Sequence, residues 1–374
     1  MNDVGILTFH CADNYGAMLQ AYGLKEYLRR REIKVEIVQY EPPYMTGRHW
    51  WIPYIPVGGL PGILYYGWHR WKKNLKMGRA FFEKRTKMEC FRRQCLTEGK
   101  RKKLYLDAQL KKLTYRYYIV GSDQIWNPSI TCGLRKAYFG HFKNPYKEKV
   151  IAYAASLGTA ALPSKYDRTF AELIKHVDAV SVRERAAVSY VKQFYDKDVT
   201  AVLDPVFLLE KKEWEKITKL PVYKKFIFIY MTEQNDKLVD FAKKLSAAKG
   251  WEIIKVTDGV AIDDAEIVTD YTAGPSEFLG YVHQADYVIS SSFHVIAFSI
   301  IFQKKFVAFL HSSVGERISN ILKISGLEHR LYEENTGVET EASVDWREVE
   351  KRIKESVEAA GNFLMDNIRP REFC

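Results

Sequence analysis

The 374-residue chain is longer than one hydrophobic core usually grows, and its 47% hydrophobic against 28% charged residues excludes the disordered class, so two globular domains are expected. Five cysteines (Cys11, Cys90, Cys95, Cys132 and Cys374) include no CxxC pair and no histidine at metal-ligand spacing, which argues against a zinc site or a disulfide framework and for a reduced, cytoplasmic compartment. The net charge of +11 is local: 14 Lys or Arg against Glu83, Glu89 and Glu98 between Arg70 and Lys103 account for all of it.

The start, MNDVGILTFH, runs directly into a strand pattern without the basic and apolar stretches of a signal peptide, and no segment approaches the roughly 18 apolar residues of a membrane span. A strand over 4–9, a loop with Asn14, Tyr15 and Gly16, a helix over 19–30 and a strand over 35–40 form a β-loop-α-β opening, which predicts parallel strands. The alternation continues with strands at 117–120, 150–155 and 179–182 and helices at 165–176 and 185–194. Asp204 and Pro205 close this half, and a lysine-rich helix over 210–218 followed by Pro221 reads as a linker. A second alternation follows: strands at 226–231, 252–256, 287–290 and 306–309, helices at 237–249, 275–284 and 295–302, and a terminal helix over 345–367 with one apolar face. The expected domains are therefore 1–205, with an insertion at about 45–105, and 206–374.

The insertion differs in kind from the rest. Between His49 and Trp71 stand Trp50, Trp51, Tyr54, Tyr65, Tyr66, Trp68 and Trp71, leading into the basic window. Rings beside cations suit a membrane interface with anionic lipid, through 49–103. The plainer reading, an aromatic insertion folded on its own protein with a solvated basic helix after it, stands beside it. Nucleic acid is not expected as a partner, because no recognition module accompanies the charge.

Ligands of open α/β sheets bind beyond the carboxyl ends of strands, where loops lead into helix N-termini. His10, Asn14, Tyr15 and Gln20 follow the first strand; Ser122, Asp123 and Trp126 follow the strand over 117–120; Arg183 follows the strand over 179–182. Ser290, Ser291 and Ser292 followed by His294 make an anion site of hydroxyls and helix-start amides, in which His294 is either a proton carrier or a cap. Arg183 is either an anion clamp or a structural partner of Glu184. Asp123 and Asp204 either orient hydroxyls or cap turns. No Walker loop, GxGxxG, HExxH or GxSxG motif is present.

In order, LTFH at 7–10, NYGA at 14–17, LQA at 19–21, VGSDQIWN at 120–127, AYAASLG at 152–158, SVRE at 181–184, LDP at 203–205 and SSSFH at 290–294 resemble the polysaccharide pyruvyl transferase family. The resemblance implies two Rossmann-like lobes similar to a GT-B glycosyltransferase, phosphoenolpyruvate as co-substrate without a further cofactor or metal, and a sugar acceptor that receives a pyruvate ketal. It implies that Arg183 helps bind the donor and that His294 is a binding or acid residue. Members commonly carry arginine two residues before this histidine and glycine after it; Ser292 and Val295 stand here instead. Arg317, with Arg330 behind it, is then the expected second cation for phosphate. A sugar carried on lipid at the inner face of the membrane would give the insertion a purpose. A glycosyltransferase using a nucleotide sugar and a non-catalytic polysaccharide assembly factor are the alternatives.

Overall fold

The computed structural model describes residues 3–46, 78–98, 102–143, 148–256, 264–312, 315–334, 337 and 343–368. The aromatic run between His49 and Trp71 lies outside them. The chain divides into two compact units: Met1–Arg79, Glu89–Leu208 and Val357–Cys374 form the first, Ala80–Met88 and Leu209–Ser356 the second. Besides the change of unit at 208/209 there are three further crossings, at 79/80, 88/89 and 356/357. Each of these three lies within a helix, at 78–91 (α2) and at Trp346–Asn367 (α10), where a change of unit leaves no turn signal in the sequence.

In the first unit β1 (Val4–Leu7), β2 (Val35–Ile37), β3 (Tyr117–Gly121), β4 (Lys149–Ala155), β5 (Ala179–Val182) and β6 (Val199–Ala201) form one sheet of order β2-β1-β3-β4-β5-β6. Every pairing is parallel. The strands read as continuous apolar runs because both faces are buried; all five residues of β3 are enclosed. α1 (Tyr15–Arg29) is buried on nearly every side, Gln20 and Lys25 included. α3 (Asp167–Ile174) and α4 (Ala187–Lys192) contribute Phe170, Ile174, Tyr190 and Val191 to the core.

The second unit repeats the plan. β7 (Phe226–Tyr230), β8 (Glu252–Val256), β9 (Ile267–Asp270), β10 (Tyr287–Ser290) and β11 (Phe306–Ala308) are all parallel, in order β11-β10-β7-β8-β9. Its helices are α5 (Lys211–Glu215), α6 (Asp236–Lys249), α7 (Pro275–Gln284), α8 (Phe293–Ile301), α9 (Glu316–Ser325) and the start of α10. α5 is a packed element of this unit, not the linker its lysines suggest: Trp214 is fully buried and sets its ring edge-on against Phe298. Each sheet has one topological switch point, where the chain turns from building outward on one side to the other. It lies between β1 and β3 in the first sheet and between β7 and β10 in the second.

α7 packs against the backbone at 219 without clearance. A Cβ on Gly280 would lie 1.8 Å from the Lys219 carbonyl oxygen. Gly280→Ala is therefore expected to destabilise the protein by about 2 kcal/mol or more, as overpacking against rigid backbone does. A denaturant midpoint equal to that of the parent would contradict this close approach.

Candidate functional site

In the first unit the loops beyond the strands meet around one guanidinium. Arg183, next after β5, is 5% exposed. Its Nη1 donates to the Ser122 carbonyl at 3.3 Å and to Asp204 Oδ2 at 3.2 Å, and its Nε to Glu184 Oε1 at 3.5 Å. Glu184 Oε1 also accepts from Ser156 Oγ at 2.6 Å, which draws in the loop after β4. Burial disfavours the arginine's charge, and Glu184, Asp204 and Asp123 together outweigh it, so its pKa is raised. Arg183 makes the structural pair with Glu184 and also contacts Asp204, while its buried Nη2 has no hydrogen-bond partner. Gly121, at φ 132°, ends β3 so close to Tyr153 that a Cβ would lie 2.0 Å from its carbonyl oxygen; glycine alone fits there.

At the end of β1, His10 is wholly enclosed. Its Nδ1 stands 3.2 Å from the Thr8 carbonyl oxygen, which only accepts, so the hydrogen sits on Nδ1. Burial pushes the ring down to about 3, with Arg92 and Lys103 adding to the effect against the Thr8 carbonyl. Gln20 donates to Thr8 Oγ1 at 2.8 Å and to the Ala17 carbonyl at 2.9 Å. Arg92, from the basic window, ties this loop down: it donates to the His10 carbonyl at 3.1 Å and to Asp13 at 2.8 Å and pairs with Glu89. Nothing in the lysine and arginine run distinguishes Arg92 from the other cations of the sequence.

Several of the residues expected at the acceptor are enclosed or engaged in the fold. Trp126 is a core residue: fully buried, stacked on Phe139 and donating its indole N–H to the Tyr138 carbonyl at 3.0 Å. His10, Gln20 and Ser122 are enclosed and Tyr15 is nearly so. Asn14 is exposed but caps α1, its side chain accepting from Ala17 N at 3.0 Å. Asp123 keeps partial exposure.

In the second unit the switch point carries the serine run. Ser290 Oγ donates to the Tyr230 carbonyl at 2.5 Å and accepts from Ser292 N at 3.0 Å, which shapes the turn into α8. Ser291 is 2% exposed and its Oγ has no hydrogen-bond partner. His294 stands in the first turn of α8, partly exposed. Arg317, from the first turn of α9, lies over the Phe293 ring at 5.8 Å from its centre. Ser290, Ser291, Ser292, His294 and Arg317 thus gather about one helix start, whose amides and dipole favour an anion. Arg330 is buried elsewhere, behind β11, in the turn Glu328–Arg330. Three residues beyond the expected set belong to this edge: Glu233, His311 and Ser312. Glu233, after β7, accepts from Ser312 N and Ser312 Oγ, each at 2.6 Å, and stands 3.6 Å from His311 Nε2. Those serine bonds, with help from His311, hold its carboxyl below the usual range.

Among the described residues no group of three or more His, Cys, Asp or Glu side chains could hold a metal ion. Among them, too, no helix is long and apolar enough to cross a membrane.

The sequence matches the polysaccharide pyruvyl transferase family over residues 14–313. No curated relative matches it. A protein from Listeria monocytogenes described as a UDP-N-acetylglucosamine 2-epimerase aligns over 100% of both chains at 10% identity with a TM-score of 0.51. S. aureus MnaA in its structure with UDP aligns over 97% of this chain and 90% of its own, at 10% identity and a TM-score of 0.46. E. coli heptosyltransferase WaaC aligns over 82% and 88%, at 11% identity and 0.37. The Listeria protein shares the fold, two Rossmann-like units.

Two consequences can be measured. Arg183→Ala leaves Glu184 and Asp204 buried without their counter-charge and is expected to cost about 3–5 kcal/mol in denaturant unfolding. His10 has a folded-state value below its unfolded one, so its contribution to stability is present above pH 6.5 and is lost as pH falls toward about 3. His10→Asn should flatten that part of the stability profile; an unchanged slope between neutral pH and pH 4 would contradict the burial of a neutral ring.

Proposed function

Since the chain belongs to the polysaccharide pyruvyl transferase family, we propose that it transfers the pyruvyl group of phosphoenolpyruvate to a pair of sugar hydroxyls as a ketal, in the making of a surface polysaccharide. The observation that carries the donor half of this reading is the α8 start. A buried Ser291 hydroxyl without a partner, helix amides, His294 and Arg317 gather at the switch point of the second sheet. A small dianion with a carboxylate suits that donor set, because every group in it donates hydrogen bonds or carries positive charge.

The chemistry balances without a redox partner. A proton is added to C3 of phosphoenolpyruvate, the first hydroxyl oxygen bonds to C2 and gives up its proton, and the C2–O bond to phosphate breaks with its electron pair leaving on oxygen. The second hydroxyl then closes the ketal, and its proton departs with the phosphate as hydrogen phosphate. His294 is the proposed proton donor to C3, and Arg317 with the serine turn holds the phosphate. Arg183 is given a positioning role only, since its charge is already matched by two carboxylates. Asp123 is the remaining candidate for acceptor contact in the first unit.

Thermal unfolding with and without phosphoenolpyruvate tests the donor. A ligand confined to the folded state adds about 2.7 kcal/mol at one hundred times its dissociation constant. The expected result is a rise in the parent, its loss in Arg317→Ala, and in His294→Ala a retained rise with ketal formation down by about a hundredfold or more. No rise with phosphoenolpyruvate, together with a rise from a nucleotide sugar, would move the protein to the glycosyltransferases.

A further inference from the structure

Strand order makes the Glu233–His311 pair more than a surface contact. β7 and β11 lie on either side of β10, and adjacent strands are about 4.8 Å apart. Ser290 is paired with both Tyr230 and Ala308, and its carbonyl accepts from Phe309 N at 2.8 Å. Glu233 follows β7 and His311 follows β11, so the contact between them spans the end of β10, where the serine turn leaves for α8. Ser312 donates to both oxygens of Glu233, which fixes the carboxylate. The fixed carboxylate in turn sets Nε2 of His311 at 3.6 Å. Arg317 reaches the same helix start from α9. A second observation at this place points to a ligand: the Ser291 hydroxyl, enclosed and without a partner beside the first amides of α8.

We propose that His311, positioned by Glu233, is a phosphate-binding residue of this site and with Arg317 supplies the cationic contacts to the phosphoryl group of the donor at the α8 start. The inference rests on the donor site assigned above and extends it to a residue outside the serine-histidine motif. Ser292 brings no charge to the turn, so positive charge has to come from neighbouring strand ends. His311 is placed to bring it from β11.

The test is calorimetric titration of the full chain with inorganic phosphate and, separately, with phosphoenolpyruvate, on the parent, His311→Gln and His311→Lys. His311→Gln is expected to weaken phosphate by about tenfold, the loss of one charge-assisted contact, while His311→Lys stays within about threefold of the parent. The thermal midpoints of both variants should match the parent, since the ring is partly exposed and packs no core. Unchanged phosphate binding in His311→Gln, a lysine variant as weak as the glutamine one, or a parent that takes no phosphate at millimolar concentration would each overturn the inference. Phosphate binding that depends on His311 in a protein that ignores phosphoenolpyruvate would sink the donor reading and leave this site standing for another phosphorylated donor.

Discussion

One buried guanidinium holds the carboxyl edge of the first sheet together. Arg183 reaches the carbonyl after β3, the carboxylate after β6 and its own neighbour Glu184, which binds the serine after β4. Four strand ends therefore depend on a single charge. A buried ion pair adds little net stability, because removing the ions from water costs about as much as their attraction returns. Its effect is on geometry: any rearrangement of one loop strands a carboxylate in the interior, so the four loops keep one arrangement.

Most of the fold was legible because parallel strands buried on both faces leave short apolar runs between helical periodicities. β5, β8, β10 and α7 lie where the pattern puts them. Two strands left no usable signal. β6, Val-Thr-Ala, has only its first residue buried, and β9 is an edge strand with one buried residue. α5 was legible as a helix and misleading as a linker, since three lysines and three glutamates over 210–216 conceal one tryptophan that fills the core. Its packing partner, Phe298, lies far along the chain, and no local pattern announces it.

The site was legible to the same depth. Ser290, Ser291, Ser292 and His294 stood out because they follow an apolar strand directly, and the structure places them at a helix start. Trp126 followed a strand as well, and the sequence could not tell a ring offered to a sugar from a ring closing a core. Burial decides that, and burial depends on Tyr138, Phe139 and Phe170. Glu233 and Ser312 stand 79 positions apart, so their contact exists only through sheet order. Arg92 shows the reverse difficulty: fourteen cations in one window look alike, although this one is committed to His10, Cys11 and Asp13.

The two switch points have the same topology and opposite electrostatic states. At the first, charge is matched internally, with Arg183 set against two acids and His10 kept neutral by burial. At the second, the groups near the strand ends include hydroxyls, amides, two imidazoles and Arg317, and Glu233 has both oxygens taken by Ser312. The donor site proposed for the second unit therefore rests on a local grouping: the unpartnered Ser291 hydroxyl, the α8 amides and Arg317 lie about one helix start.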